Sequence, residues 1–313
     1  MKPSTRRAIA RRTCAVLPPL VAQRVRHFLY PLEIGRAEDR EVVVRSVTGS
    51  RFVGRTGDFH SYRSAIHGYF DWRNLAAALV LAGEGATIVE VGANVGTETI
   101  GYSDIVGSAG CVIAIEPVPA NVVALEHNLR LRRFDNIEFV RMAVGARGGR
   151  TRFEAPVSQH HSGLGHVLGP SEVAGDYSLE VEVASLDSIC GDMAEVDLIV
   201  IDAEGYEVEI IRGAENILVR HAPSLIVEAA PKHLHRAGTS LGNLHSSLLD
   251  HGYRAFSIGR LGLRLVDLGD DTAGNWIALP APRSNHAQRV SGALKRCGLP
   301  PCVPVVNPLC QPR

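Results

Sequence analysis

Apolar residues fall into two rhythms along this chain. From Thr87 onward, short and nearly continuous apolar runs alternate with stretches in which apolar positions recur every three or four residues. The runs TIVEVGA (87–93), GCVIAIEP (110–117), IEFVRMAVG (137–145), VDLIVIDAEG (196–205) and PSLIVEAA (223–230) predict strands covered on both faces. Between them, 97–106, 119–133, 207–218 and 241–252 predict helices. LEVEVASLDSI (179–189) predicts a strand and a short helical turn, and 253–258, 264–269 and 275–280 predict closing strands. Upstream, 72–83 has helical periodicity ending on Gly83, and 41–56 reads as a hairpin around Thr48-Gly49-Ser50. Strands alternating with helices of this length imply parallel strands joined by right-handed crossovers.

The expected organisation is a basic arm and hairpin over 1–67, an α/β domain over 68–280 and a poorly ordered tail over 281–313. The tail is read from its proline and polar content. The polar insert 154–178, with His160, His161 and His166, is expected to form a lid.

Composition narrows the function. Lys plus Arg equals Asp plus Glu at 33 each, so no basic field gathers nucleic acid, and no nucleic-acid partner is expected. Six cysteines without CxxC spacing argue against zinc and disulfide frameworks and favour a reducing cytoplasm. The N-terminal apolar run is short and broken by Pro18-Pro19, and no stretch reaches the roughly 20 apolar residues of a transmembrane segment.

IVEVGANVGTETI (88–100) carries the first chemical signal. A strand ends at Gly92, and Gly96 follows. Gly92 permits a sharp turn, and Gly96 is expected to permit close approach of the backbone to a ligand. The next strand ends at Glu116, where a carboxylate can accept both hydroxyls of a ribose. A nicotinamide site would show GxGxxG and a helix N-terminus facing pyrophosphate. Here one glycine is missing and Glu98 sits in the first turn, which is unhelpful beside a phosphate. S-adenosylmethionine has no phosphate and carries cations, so acids such as Glu90 near the loop are useful to it.

VEVGANVG, IEPVPANVVALEHNLRL, MAVG, ASLDSI, DLIVIDAEGYEVEIIRGAENIL and SLIVEAAP together resemble the FkbM family of S-adenosylmethionine-dependent methyltransferases over about residues 68–230. The resemblance implies a class I, Rossmann-like methyltransferase fold and O-methylation of a hydroxyl on a small molecule, sugar or glycolipid. It implies that Gly92, Asn94 and Gly96 hold the methionine part of the cofactor, that Glu116 takes the ribose, and that Met142 and Ala143 flank the adenine. Asp202 and Glu204 would lie near the methyl group. One departure is Val200, where the family often has a lysine.

Methyl transfer to a hydroxyl benefits from a base or a metal as the proton leaves. Asp202 and Glu204, two apart at a strand end, are candidates for the base, and as hard oxygen ligands they are compatible with a divalent cation; no dedicated metal ligand set is expected. The bland alternative is that Glu204 caps the following helix and Asp202 only contacts loop amides. Glu228 is a weaker candidate for the same cleft, and His233 and His235 have the spacing of strand ligands. Two rival functions remain open: an NAD(P)-dependent oxidoreductase, and a non-catalytic, degenerate methyltransferase that binds S-adenosylmethionine.

Overall fold

The computed structural model describes residues 1–155, 162–163, 165–169, 172, 175–267, 269–299 and 309. Its centre is an eight-stranded sheet. In chain order the strands are β1 (Thr87–Val91), β2 (Cys111–Ile115), β3 (Ile137–Val140), β4 (Leu198–Ile201), β5 (Ser224–Ala229), β6 (Tyr253–Ile258), β7 (Leu263–Leu265) and β8 (Gly274–Pro280). Across the sheet they run β7-β6-β8-β5-β4-β1-β2-β3. β1 to β5 are mutually parallel, and β8 is antiparallel between β5 and β6. This is the mostly parallel, doubly wound sheet expected from the sequence.

The chain leaves β1 in one direction for β2 and β3, then returns to the other side for β4. The gap between the carboxyl ends of β1 and β4 is therefore the switch point, where open α/β sheets bind ligands. Register levels these ends: Val91 lies opposite Ile115 on one side and Ile201 on the other. Gly92, Glu116 and Asp202 each follow by one residue.

Alternation sends successive side chains to opposite faces. Val89, Val91, Ile113, Ile199, Ile201 and Val227 build one core layer, and Ile88, Val112, Leu198, Val200 and Ile226 build the other. The second layer is covered by helix α1 (Trp72–Leu81). Helices α2 (Thr99–Val106), α3 (Pro119–Leu129), α4 (Glu207–Arg212) and α5 (Leu241–Asp250) complete the wrapping that positions the site.

Four sequence expectations change. First, the run 137–145 is not one strand. β3 ends at Val140, and Ala143–Val144 pairs with Val183–Ala184 in a separate four-stranded sheet that also contains Gly149–Glu154 and His166–Val167. Both pieces are apolar, so periodicity could not show the break.

Second, the helix over 207–218 is two helices, divided at Gly213. A Cβ at Gly213 would lie 2.1 Å from the Gly145 carbonyl oxygen, so only glycine lets the two chains cross there. Third, His233 and His235 sit on a helix, Pro231–Arg236, not on a strand.

Fourth, residues 286–298 are not a poorly ordered tail. They form helix α6 (His286–Gly298), packed on α1. Val290, Ala293, Leu294 and Cys297 recur at helical spacing and are buried, a stripe that the polar composition obscured. The remainder of that expectation, 300–308 and 310–313, lies outside the described residues, as do His160 and His161.

The first 67 residues are an ordered extension. Helices Pro3–Ala15 and Pro19–Leu29 pack with Phe59–His67 through Ala10, Cys14, Ala22, Tyr30, Tyr62 and Ile66. The expected hairpin forms between Glu41–Arg45 and Arg51–Arg55. Its turn is tied to α2: buried Asp104 accepts from Thr48 Oγ1 (2.7 Å), Ser50 N (2.7 Å) and Ser50 Oγ (2.6 Å). Cys14, Cys111 and Cys190 are free thiols. No helix among the described residues is long and apolar enough to cross a membrane.

Candidate active site

At the switch point lies a cleft whose empty space, open solvent included, is about 850 Å³. The loop after β1 forms its floor. Gly92 (φ +88°) has no room for a side chain, because a Cβ would stand 2.0 Å from the Asp202 carbonyl oxygen. Gly96 also has positive φ, but it does not face the cleft. Its missing Cβ makes room for Leu125 of α3, whose Cδ1 would be 2.3 Å away. The expectation that Gly96 opens the backbone to a ligand is therefore corrected: both glycines serve close packing of protein on protein. Asn94, between them, adopts φ +50° and lines the cleft.

Glu116 emerges from β2 and is 4% exposed. Its carboxylate accepts from the backbone amides of Asn94 (2.9 Å) and Val118 (2.8 Å) and from Asn121 Nδ2 (3.3 Å). Burial nevertheless pushes its pKa up to about 7. Glu90, in β1, stands level with Ala114 and Val200 on the same sheet face. Its Oε2 is buried without a hydrogen-bond partner, and burial pushes its pKa up to about 8. The Asn94 Oδ1 is likewise buried and unpartnered. Met142, Ala143, Val144, Phe153 and Ile210 supply an apolar wall.

Asp202 and Glu204 leave the end of β4. They line the same cleft but sit in different surroundings. The Asp202 carboxylate has no hydrogen-bond partner among the described residues. Burial, then the neighbouring charges of Glu228 and Glu204, hold its pKa well above the ordinary carboxylate range.

Glu204 is in the left-handed region (φ +54°), with its carbonyl accepting from Arg236 (2.6 Å). The Nδ1–H of His233 lies between two carboxylates, 2.9 Å from Glu204 Oε2 and 3.2 Å from Glu228 Oε2. Those two partners push the His233 pKa up to about 10, so the imidazole is a cation. The chelating triple Glu204–Glu228–His233 is thus already bridged by a proton, with the Arg236 guanidinium 3.8 Å from Glu204.

The cap of the loop after β4 is Glu207, not Glu204. Glu207 is 1% exposed, and its Oε1 accepts from the amides of Ala203 (3.2 Å) and Gly205 (3.1 Å). The DAEG turn is therefore built by an acid that sequence reasoning passed over. A carboxylate in the first helical turn after a glycine was the available signal.

Two other regions close the cleft. His60, stacked on Phe70 at 4.8 Å, comes from the N-terminal extension, and Ser162, Gly163, Gly165 and Val167 come from the insert. They are joined: Ser162 N donates to Asp58 (2.9 Å) and Asn121 Nδ2 donates to the Ser162 carbonyl (3.1 Å). His166 pairs with Glu172 at 3.2 Å and does not face the cleft.

The chemistry of the lining is one-sided. Among the described residues it contains five carboxylates, from Glu90, Glu98, Glu116, Asp202 and Glu204, and no Lys or Arg. A pyrophosphate would find no counter-charge. A ligand with a sulfonium and an ammonium group, and with ribose hydroxyls to donate, fits these unpartnered acceptors.

A family model described as the methyltransferase FkbM domain matches residues 90–255. The chain is similar to the solved methyltransferase FkbM from Methylobacillus flagellatus KT, with 17% identity and a TM-score of 0.42, over 87% of this chain and 59% of that one. It therefore spans less than two thirds of that protein. Aeropyrum pernix fibrillarin, solved with natively bound S-adenosyl-L-methionine, is 18% identical with a TM-score of 0.37, over 66% of this chain and 73% of that one. The O-methyltransferase TomG from Streptomyces achromogenes, solved with SAM, is 15% identical with a TM-score of 0.39, over 66% and 78% of the two chains. No curated protein matches the sequence.

Proposed function

Because this chain belongs to the FkbM family of S-adenosylmethionine-dependent methyltransferases, we propose that it methylates a hydroxyl on a small molecule, sugar or glycolipid. The observation that carries the O-methylation reading is Asp202. It is a carboxylate of raised pKa, free of protein donors, at the strand end facing the cofactor loop.

When bound, S-adenosylmethionine supplies a methyl group already activated by its positive sulfur. The chain's own residues do the rest. Glu116 would accept the ribose hydroxyls through lone pairs left over from its amide contacts. Glu90 Oε2 and Asn94 Oδ1 would receive the ammonium, and Met142 and Ala143 would hold the adenine.

Asp202 would accept the proton of the acceptor hydroxyl as that oxygen is methylated. Glu204, held by His233 and Arg236, lies beside Asp202 and, after burial and Glu228, helps to raise the pKa of that carboxyl, which favours proton uptake by it. His60, Phe70 and the insert residues Ser162 to Val167 shape the acceptor's side of the cleft and exclude water from it.

The test is incubation with methyl-labelled S-adenosylmethionine and fractionated hydroxylated metabolites, followed by mass spectrometry. Label in an ether linkage supports the reading. Label only on nitrogen or carbon overturns it. In thermal melts S-adenosylmethionine is expected to raise Tm and NAD to leave it unchanged.

A further inference from the structure

The chain is neutral as a whole but polarised along its length. Residues 1–32 hold seven basic residues (Lys2, Arg6, Arg7, Arg11, Arg12, Arg24 and Arg26) and no acid, a net of +7. The remainder has 33 − 7 = 26 Lys and Arg against 33 Asp and Glu, a net of −7.

The basic end is also where apolar side chains face water. Of the eleven exposed large apolar residues among the described residues, five lie in the first 28 positions: Met1, Ile9, Val16, Val21 and Phe28. Their spacing repeats. Ile9-Arg12-Val16 and Val21-Arg24-Phe28 each run apolar, arginine, apolar at i, i+3 and i+7, which is one helix face. Exposures are 39% and 57% in the first stripe and 45% and 80% in the second.

The two helices form an antiparallel hairpin. Arg6 donates to the Leu29 carbonyl (2.7 Å) and the Phe28 carbonyl (3.2 Å), and Cys14 Sγ to the Ala22 carbonyl (3.4 Å). Their inner faces are already used on Tyr62 and Ile66. Arg6, Arg7 and Arg26 serve the fold, through those carbonyls, Glu38 and the Tyr62 ring. Lys2, Arg12 and Arg24 have no partner among the described residues and are exposed.

We propose that this helical hairpin is a docking surface for an anionic lipid bilayer. Phe28, Val21, Val16 and Ile9 enter the headgroup boundary, and Lys2, Arg12 and Arg24 meet the lipid phosphates. Charge complementarity favours an anionic partner, and the apolar stripes favour a bilayer over a nucleic acid, whose backbone offers them nothing to enter. The proposal is independent of which hydroxyl is methylated.

The test is co-sedimentation of the full chain with phosphatidylcholine vesicles, with and without phosphatidylglycerol. Binding about tenfold stronger with the anionic lipid, reduced by 0.5 M NaCl, is expected. Val21→Ser with Phe28→Ser should weaken it severalfold, and Arg12→Glu with Arg24→Glu should abolish it. All four side chains are solvent-facing, so melting temperature and S-adenosylmethionine affinity should not change. The proposal is overturned if the wild-type chain stays in the supernatant at low salt. It is equally overturned if binding is indifferent to Phe28 and the chain is displaced by single-stranded RNA, which would mark a nucleic-acid surface.

Discussion

The two mouths of the cleft are built from the same residue type in opposite ways. On the β1–β2 side, Glu116 is gripped by amides two and twenty-two residues away and by Asn121, all within one βαβ unit. On the β4–β5 side, Glu204 is gripped by side chains, His233 and Arg236, from a helix that follows the next strand. Backbone amides are fixed by the fold and cannot be substituted away. Side-chain clasps can, and they carry charge. The first side is therefore suited to an invariant ligand, and the second to a reaction whose proton affinity can be tuned.

That contrast can be broken at each mouth. The largest expected effect is Asp202→Asn. Loss of the proton acceptor should lower kcat about a thousandfold while S-adenosylmethionine affinity, measured by calorimetry, changes little. An active Asp202→Asn enzyme would remove the base from the β4 side.

Glu116→Ala should act the opposite way. It deletes charge-assisted hydrogen bonds worth about 1.5–3 kcal/mol each and should weaken cofactor binding about a hundredfold, read in the same titration. Unchanged affinity there would show that the ribose is held elsewhere.

His233→Gln should lower kcat about tenfold with cofactor affinity intact, because Glu204 loses its cation but keeps Arg236. Its pH–rate profile should move toward higher pH on the acid limb, since loss of the imidazolium leaves the two carboxylates that raise Asp202, Glu228 and Glu204, without that counter-charge. A purely structural role would change Tm and leave that limb in place.

The smallest effect is a pH dependence of binding. Burial pushes the Glu116 and Glu90 pKa values up from 4.5 to about 7 and about 8. A carboxyl raised in the folded state keeps its proton where the unfolded chain has lost it. Its stabilising contribution is full below the unfolded value and fades as pH rises through 7 and 8. A cationic ligand favours the charged forms, so S-adenosylmethionine affinity should rise about threefold to tenfold between about pH 6 and 7.5. A flat profile would place both carboxylates outside the binding equilibrium.

The contrast also explains what the sequence could reveal. Glu90, Gly92, Asn94 and Glu116 stand within 27 positions on either side of one strand crossover, and local spacing was enough to bring them together. Met142 and Ala143 are placed by the next strand end, and Asp202 and Glu204 by the fourth; all line the cleft. The role assigned to Gly96 was misread, because a missing Cβ looks the same in a sequence whether Leu125 or a ligand occupies the space. His233 was unreadable for a related reason. Its partner Glu204 is 29 positions upstream, and only the β4–α4–β5 crossover brings the two side chains within 2.9 Å. Asp58 and Ser162 meet beside the cleft from segments about a hundred residues apart, and nothing in either stretch announces the other. The α6 stripe, by contrast, was legible at Val290, Ala293, Leu294 and Cys297, and composition outweighed periodicity.

The three donors on Asp104 bind the fates of two segments. Removing residues 1–67 would strip Thr48 and Ser50 from a carboxylate that is 1% exposed in the intact protein, and it would take His60 from above the cleft. A shortened chain that kept only the Rossmann-like core would leave the Asp104 carboxylate without its three donors at the back of α2 and the cleft without His60.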